Sequence, residues 1–531
     1  MLTRGVRFLN TAFAVAVAGT AVLPASGIRT AVPEHPDDKT IVHVLNRIGF
    51  GPAPGEVDWI RRVGLARYLD QQLEPERIVD SGVASRLSTL RTLQQSSRAL
   101  AQGYFVPAMI ERRRAKSVDV PAPGAAMDAR PAPERATMMQ EREVLAELAE
   151  QKILRAAYSE RQLQEVMVDF WFNHFNVFAG KGATRIYLTE YERDAIRPNA
   201  LGRFRTLLGA IAESPAMLFY LDNWESAAPE GSRPDDRRRI RPRRARPADA
   251  AQRVRGLNEN YARELMELHT VGVDGGYTQH DVQEVARAFS GWTIAAPRQG
   301  GAFRFEPRMH DDGEKVVLGH RIRAGGGRSD GEQVLDILAA HPATARFVAT
   351  KLVRRFVSDA PPAPLVERAS AVYRETGGNI RDVVRAILTS PEFFAPDAYR
   401  AKVKTPFEFV VSAVRATASD AQNALPLVRA TRELGMPLYY CQPPTGYADR
   451  ADAWVNTGAL LNRMNFAVAL TTGDVRGVAS STGGAAPGVD AITRDVLADD
   501  VSAVTRSTVA RATGPAQGIA LLLGSPEFQR K

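Results

Sequence analysis

Two carboxylates and an imidazole crowd one short stretch of this sequence. Asn260, Glu264 and Glu267 stand at i, i+4 and i+7, so on a helix they share one face, and His269 follows within the last turn before Gly272. Such groups at one helix end can ligate a hard or borderline cation, or divide the acid and base roles of a proton transfer. The competing reading is an ion-pair lattice, because Glu259 with Arg263 and Arg263 with Glu267 are both i, i+4 pairs. His174 is a second candidate. It continues an apolar stripe four residues after Phe170, where a buried polar group needs partners, with Asp169 and Asn173 as helix neighbours. It reads either as a hydrogen-bonded core histidine or as a ligand or general base. His310-Asp311 is a third, at an expected hairpin turn where an Asx side chain commonly serves the turn itself. Thr278 with Asp281 resembles a capping box and would leave His280 exposed, while His43 and His341 have weaker cases.

The elements that must position these groups are helices. Val166, Met167, Phe170, Trp171, Phe175 and Phe178 form the stripe of a helix packed on a core, and Val348, Leu352, Val353 and Phe356 repeat it in 342–356. Leu365, Ala369, Val372 and Tyr373 mark a further helix stopped by Gly377-Gly378, after which Asn379 caps the next. Ser214-Pro215, Ser390-Pro391 and Ser525-Pro526 each predict a break between two helices, with serine as N-cap and proline at the first helical position. Phe303-Arg304-Phe305 and Lys315 to Leu318, joined across an Asp-Gly turn, predict one small β-hairpin on a helical body. The expected fold is therefore mainly α, one large multi-helix module over 40–531 with a small β-hairpin near 303–318.

The 531 residues, 44% apolar and 24% charged, exclude a disordered, collagen-like or coiled-coil chain. Met1 to Gly27 reads as a signal peptide, with Arg4 and Arg7 ahead of an apolar run from Thr11 to Leu23 and small residues near Ala25 and Gly27, so the protein is expected to be exported, periplasmic or extracellular. Nothing after it reaches membrane-spanning length. The formal charge of +9 is concentrated: the stretch 225–255 holds ten arginines against five acids. That stretch and 112–134 read as exposed insertions. The arginine run lacks interleaved aromatics for base stacking and any nucleic-acid motif, which argues against nucleic acid as a partner. The single cysteine, Cys441, excludes an intramolecular disulfide, a Cys-rich zinc site, a CxxC redox pair and haem attachment. There is no HExxH, and Gly325-Gly326-Gly327-Arg328-Ser329 lacks the lysine and spacing of a P-loop.

The phrase NENYARELMELHTVGVDGGYTQHDVQEVARAFSGW, Asn258 to Trp292, resembles the signature of the domain of unknown function 1800 family of large bacterial proteins. Asn46-Arg47-Ile48-Gly49-Phe50-Gly51, Phe170-Trp171-Phe172-Asn173-His174-Phe175, His310-Asp311 with Lys315 and Gly319, Lys404-Thr405-Pro406, Pro444-Thr445-Gly446 and Ser525-Pro526-Glu527-Phe528 resemble its other blocks. Two departures stand out: Tyr447 replaces the family's usual tryptophan, and the arginine-rich stretch lengthens the loop before Asn258. The resemblance implies an exported protein of unassigned biochemical function. Genes of this family often sit beside those of the domain of unknown function 1501 family, which is similar to sulfatases and phosphatases, and this implies a shared pathway or partner. Two expectations follow. One is an enzyme with a carboxylate/histidine site at which His174, Glu264, Glu267 and His269 act, admitting a divalent metal ion held by His174, Glu264, Glu267, His310 and Asp311. The other is a non-catalytic binding or assembly protein acting with that exported partner.

Overall fold

The amphipathic stripes fold as helices with the bounds their caps dictate. A computed structural model describes residues 31–117, 132–229, 256–479 and 487–531, and among these the chain is mainly α-helical. The Gln162–His174 helix buries Val166, Met167, Phe170, Trp171 and His174. The Pro342–Phe356 helix starts where expected, with the His341 ring accepting from Ala343 N as its N-cap. The Ala363–Glu375 helix ends before Gly377 and Gly378, both at positive φ, and Asn379 caps the Ile380–Leu388 helix through Arg381 N. Both halves of the Thr278/Asp281 capping box are present at the Gln279–Phe289 helix, and His280 is exposed. Among the described residues no helix is long and apolar enough to cross a membrane.

Ser214 and Ser525 cap the Pro215–Tyr220 and Pro526–Gln529 helices, each directly after a preceding helix. Ser390 caps only a turn, its hydroxyl accepting from Phe393 N at 3.2 Å. The strand pairing also differs from the expected single hairpin. Phe303–Phe305 pairs antiparallel with Trp292–Ile294, and Lys315–Val317 pairs with His320–Ile322. Each strand found a closer partner: Trp292 and Ile294 carry buried apolar side chains next to Phe303, and Gly319 at positive φ turns the chain straight back after Leu318. The Val106–Ser117 and Ala132–Tyr158 helices reach into the 112–134 stretch from both sides. The expected signal peptide, the middle of that insertion and nearly all of the arginine-rich stretch lie outside the described residues.

One continuous apolar core runs from Ile41 to Phe528. Through it pass the three helices that matter below: Gln162–His174, Pro342–Phe356 and Pro406–Ala416. The last is buried all round and is held at its start by a capping box between Thr405 and Glu408.

Candidate functional site

His174 is carried to the end of its helix on Trp171, which packs edge-on at 5.4 Å between centroids and leaves the imidazole 2% exposed. Both ring nitrogens are committed. Nδ1 lies 2.7 Å from the Lys351 amine and Nε2 lies 3.1 Å from the His269 carbonyl. A carbonyl can only accept, so Nε2 carries the proton, and Nδ1 accepts from Lys351. Burial, then Lys351, then His269 hold the His174 imidazole well below its ordinary pKa, so it stays neutral. The His269 ring is 6.2 Å away, and burial with Lys351 beside it pushes it down to about 3.

Lys351 enters from the Pro342–Phe356 helix with no carboxylate within ion-pair distance among the described residues; its one hydrogen bond is to His174. Burial and the neighbouring Arg354 lower its amine to about 8, against a weaker opposing pull from Asp449. Its outer side faces a cavity of about 320 Å³ bounded by Phe170, Asn173, His174, Arg354 and the loop 445–450. The carboxylates there are spent on other cations: Asp169 on Lys152 at 2.8 Å and Asp449 on Lys402 at 3.1 Å. Arg355 is paired with Glu408 at 2.5 Å and Arg450 with Asp452 at 2.6 Å. Arg354 makes no ion pair among the described residues, and its buried Nε has no hydrogen-bond partner. Two cations without a counter-ion therefore face one small cavity.

The cavity wall joins two sequence motifs more than 270 residues apart. The Asn173 side chain donates from Nδ2 to the Tyr447 carbonyl at 2.8 Å and accepts from Tyr447 N at 2.7 Å, clamping the loop like a rung of sheet. Gly446 sits at φ 73°, and a Cβ there would lie 2.2 Å from the Asn173 carbonyl, so only glycine permits the approach. The Tyr447 phenol donates to the Pro437 carbonyl at 2.7 Å, fixing the loop's far side.

The other expected site residues do not all meet here. Glu264 and Glu267 are on the Glu259–Glu267 helix, half-buried, where burial and Glu267 raise the Glu264 pKa. Glu267 accepts from the Tyr277 phenol at 2.9 Å. The expected lattice is replaced: Arg263 donates to Gln279 Oε1 at 2.7 Å, and Gln279 in turn donates to Glu259. His310 and Asp311 belong to a separate, sealed ion network. Asp330 there accepts from Lys315 at 2.6 Å and lies 3.2 Å from His310 Nε2, while Asp311 takes a two-pronged contact from Arg287 at 3.0 Å. His310, Lys315 and Asp330 have no exposed surface, which makes this a structural clasp and not an open turn. His43 and His341 bond only to backbone groups. Gly327-Arg328-Ser329-Asp330-Gly331 has the spacing of a nucleophile elbow, but Ser329 Oγ donates to the Gly326 carbonyl at 2.9 Å and Asp330 is spent on Lys315 and His310. Among the described residues no group of three or more His, Cys, Asp and Glu side chains could hold a metal ion. Sequence reasoning singled out His174 and gave no sign of Lys351 or Arg354.

Residues 43–530, nearly the whole chain, match a family described as "Protein of unknown function (DUF1800)". No curated protein and no solved structure matches the chain.

Proposed function

Taking as premise that the chain belongs to the DUF1800 family, whose description names no activity, we propose from its own side chains that it is an enzyme acting on an anionic substrate through the amine of Lys351. The observation that carries this reading is the placement of Lys351: half-buried, without a carboxylate, and hydrogen-bonded to a neutral histidine at the wall of a cavity. Lysines are ordinarily exposed or paired, and a perturbed one in a cleft is a candidate for a functional site. An amine titrating near 8 is mainly protonated at physiological pH but keeps a neutral fraction far larger than an ordinary lysine's, and the free electron pair of that fraction can take a proton or attack a carbonyl. His174 orients that amine and gains nothing by competing for its proton, since its own affinity for one is far lower. Arg354, with no partner of its own, anchors the substrate's carboxylate or phosphate. His174 is thus a positioning residue, and the carboxylate pair Glu264/Glu267 falls outside the reacting centre.

Pyridoxal 5′-phosphate is a suitable probe because it joins an aldehyde to a phosphate. Incubation at pH 8, borohydride reduction and peptide mapping should place the label on Lys351 ahead of the exposed Lys39. Arg354→Gln should slow that labelling by about tenfold, the loss of one charged anchor. Labelling of Lys351 no faster than Lys39 would remove the proposal.

A further inference from the structure

Away from Lys351, a second cavity of about 960 Å³ opens between the Glu56–Val63 and Leu65–Leu73 helices and the turn at 159–161. Its size is within the roughly 300–1,000 Å³ common for small-molecule sites. Tyr68 lies at its floor, 2% exposed, with a buried hydroxyl that has no hydrogen-bond partner. Trp59 stands at right angles to the Tyr68 ring at 5.7 Å between centroids, and its indole is 39% exposed. Glu160 faces the same space and its carboxyl makes no hydrogen bond among the described residues. Burial and the nearby Glu56 raise its pKa. An orphaned buried phenol costs free energy, and an exposed indole leaves apolar surface in water, so this wall holds bonding capacity that the chain itself does not use.

The charge around the cavity says what that is. Glu56 is paired with Arg415 at 2.8 Å and also accepts from Ala53 N, Glu74 is paired with Arg77 at 2.5 Å, and Asp70 is paired with Arg385. Glu160 and Arg67 remain, of opposite sign. A site built for an ion would leave one sign in excess. This one offers open hydrogen-bonding groups beside an aromatic plane with its charges balanced.

We propose that this cavity is a saccharide-binding site, in which a sugar ring lies against the Trp59 indole and its hydroxyls meet Glu160 and the Tyr68 phenol. A pyranose suits these walls because one of its faces is C–H and its rim is hydroxyl. The phenol donates to a ring hydroxyl, and Glu160 accepts or donates according to its protonation. None of these residues takes part in the Lys351 cavity, so the two proposals stand or fall separately.

The test is calorimetry on the full chain with cellotriose, maltotriose and triacetylchitotriose, preceded by a glycan array to select any better ligand, and with spermidine and sulfate as ionic probes. At least one saccharide should bind. Trp59→Ala should weaken it about tenfold, and Tyr68→Phe and Glu160→Gln by several fold. Trp59 is exposed and the Tyr68 hydroxyl is unpartnered, so these variants should keep the parent unfolding midpoint. Lys351→Arg should leave saccharide affinity unchanged. The proposal is overturned if no saccharide binds, if binding survives Trp59→Ala unchanged, or if only spermidine or sulfate binds.

Discussion

An ammonium moved from water to the side of Arg354 loses hydration that one hydrogen bond to His174 only partly replaces. In the unfolded chain Lys351 titrates near 10.5, and in the folded chain near 8. Below pH 8 both states are protonated and the folded state carries the whole penalty. Between 8 and 10.5 the folded chain has released a proton that the unfolded chain still holds, so stability rises with pH through that window. The penalty is roughly 3–4 kcal/mol at about 1.4 kcal/mol per pH unit. Lys351→Met removes it and forfeits one hydrogen bond, worth about 1 kcal/mol. The variant should therefore be about 2–3 kcal/mol more stable than the parent at pH 7, with the advantage fading towards pH 10, as read from urea midpoints at both values. A less stable variant at pH 7 would contradict the view that Lys351 is held here at the expense of folding. Nothing local in the sequence announces this residue. Lys351 lies between the core positions Val348 and Leu352, where a lysine ordinarily reaches solvent, whereas His174 was legible because it continues a stripe of aromatic residues.

Caps and stops are written in short stretches of chain, and so the helix bounds at 342 and 380 could be read from His341-Pro342 and Asn379. Pairings between distant segments are not written that way. The three-residue strands near 303 and 315 were located correctly, but the first takes its partner from the burial of Trp292, eleven residues away, and the second from the adjacent tight turn at Gly319, which the Asp-Gly hairpin signal masked. The same limit hid the joint between the Asn173 helix and the Thr445–Tyr447 loop, although both halves were visible as motifs. That joint depends on Gly446. Alanine there would need a left-handed conformation, costing about 1–2 kcal/mol, and its methyl would also strike the Asn173 carbonyl. Gly446→Ala should lower stability by at least about 2 kcal/mol in denaturant melts and slow pyridoxal phosphate labelling of Lys351, because the loop closes that cavity. Asn173→Ala, which leaves the backbone free, should slow labelling with a smaller stability loss. If Gly446→Ala kept the parent stability and labelling rate, the loop would have no part in shaping the site.

Across the whole molecule, three histidines far apart in sequence share one condition. His43, His174 and His269 are each buried, and each is held neutral far below its ordinary pKa. Burial is the main cause for all three, reinforced by Arg47 at His43 and by Lys351 at the other two. The unfolded chain protonates them near 6.5, so as pH falls through that value it binds more protons than the folded chain and stability falls as the solution is acidified. The carboxylates enter later. Burial alone would raise the Glu408 pKa, but Arg355 and Lys531 hold it below the usual range, and its share of stability is lost only as pH falls below about 4.5. The two classes of group can therefore be separated by pH. Near pH 5.5 the histidines should dominate, and unfolding in guanidinium should take up about three protons per chain from an unbuffered solution. This measurement counts protons directly and holds whether or not so long a chain unfolds in one step. His43→Gln should reduce the uptake by about one proton, as should His269→Gln. Uptake below one proton in the parent chain would mean that the histidines open to water in solution, and with them the wall that His174 forms behind Lys351.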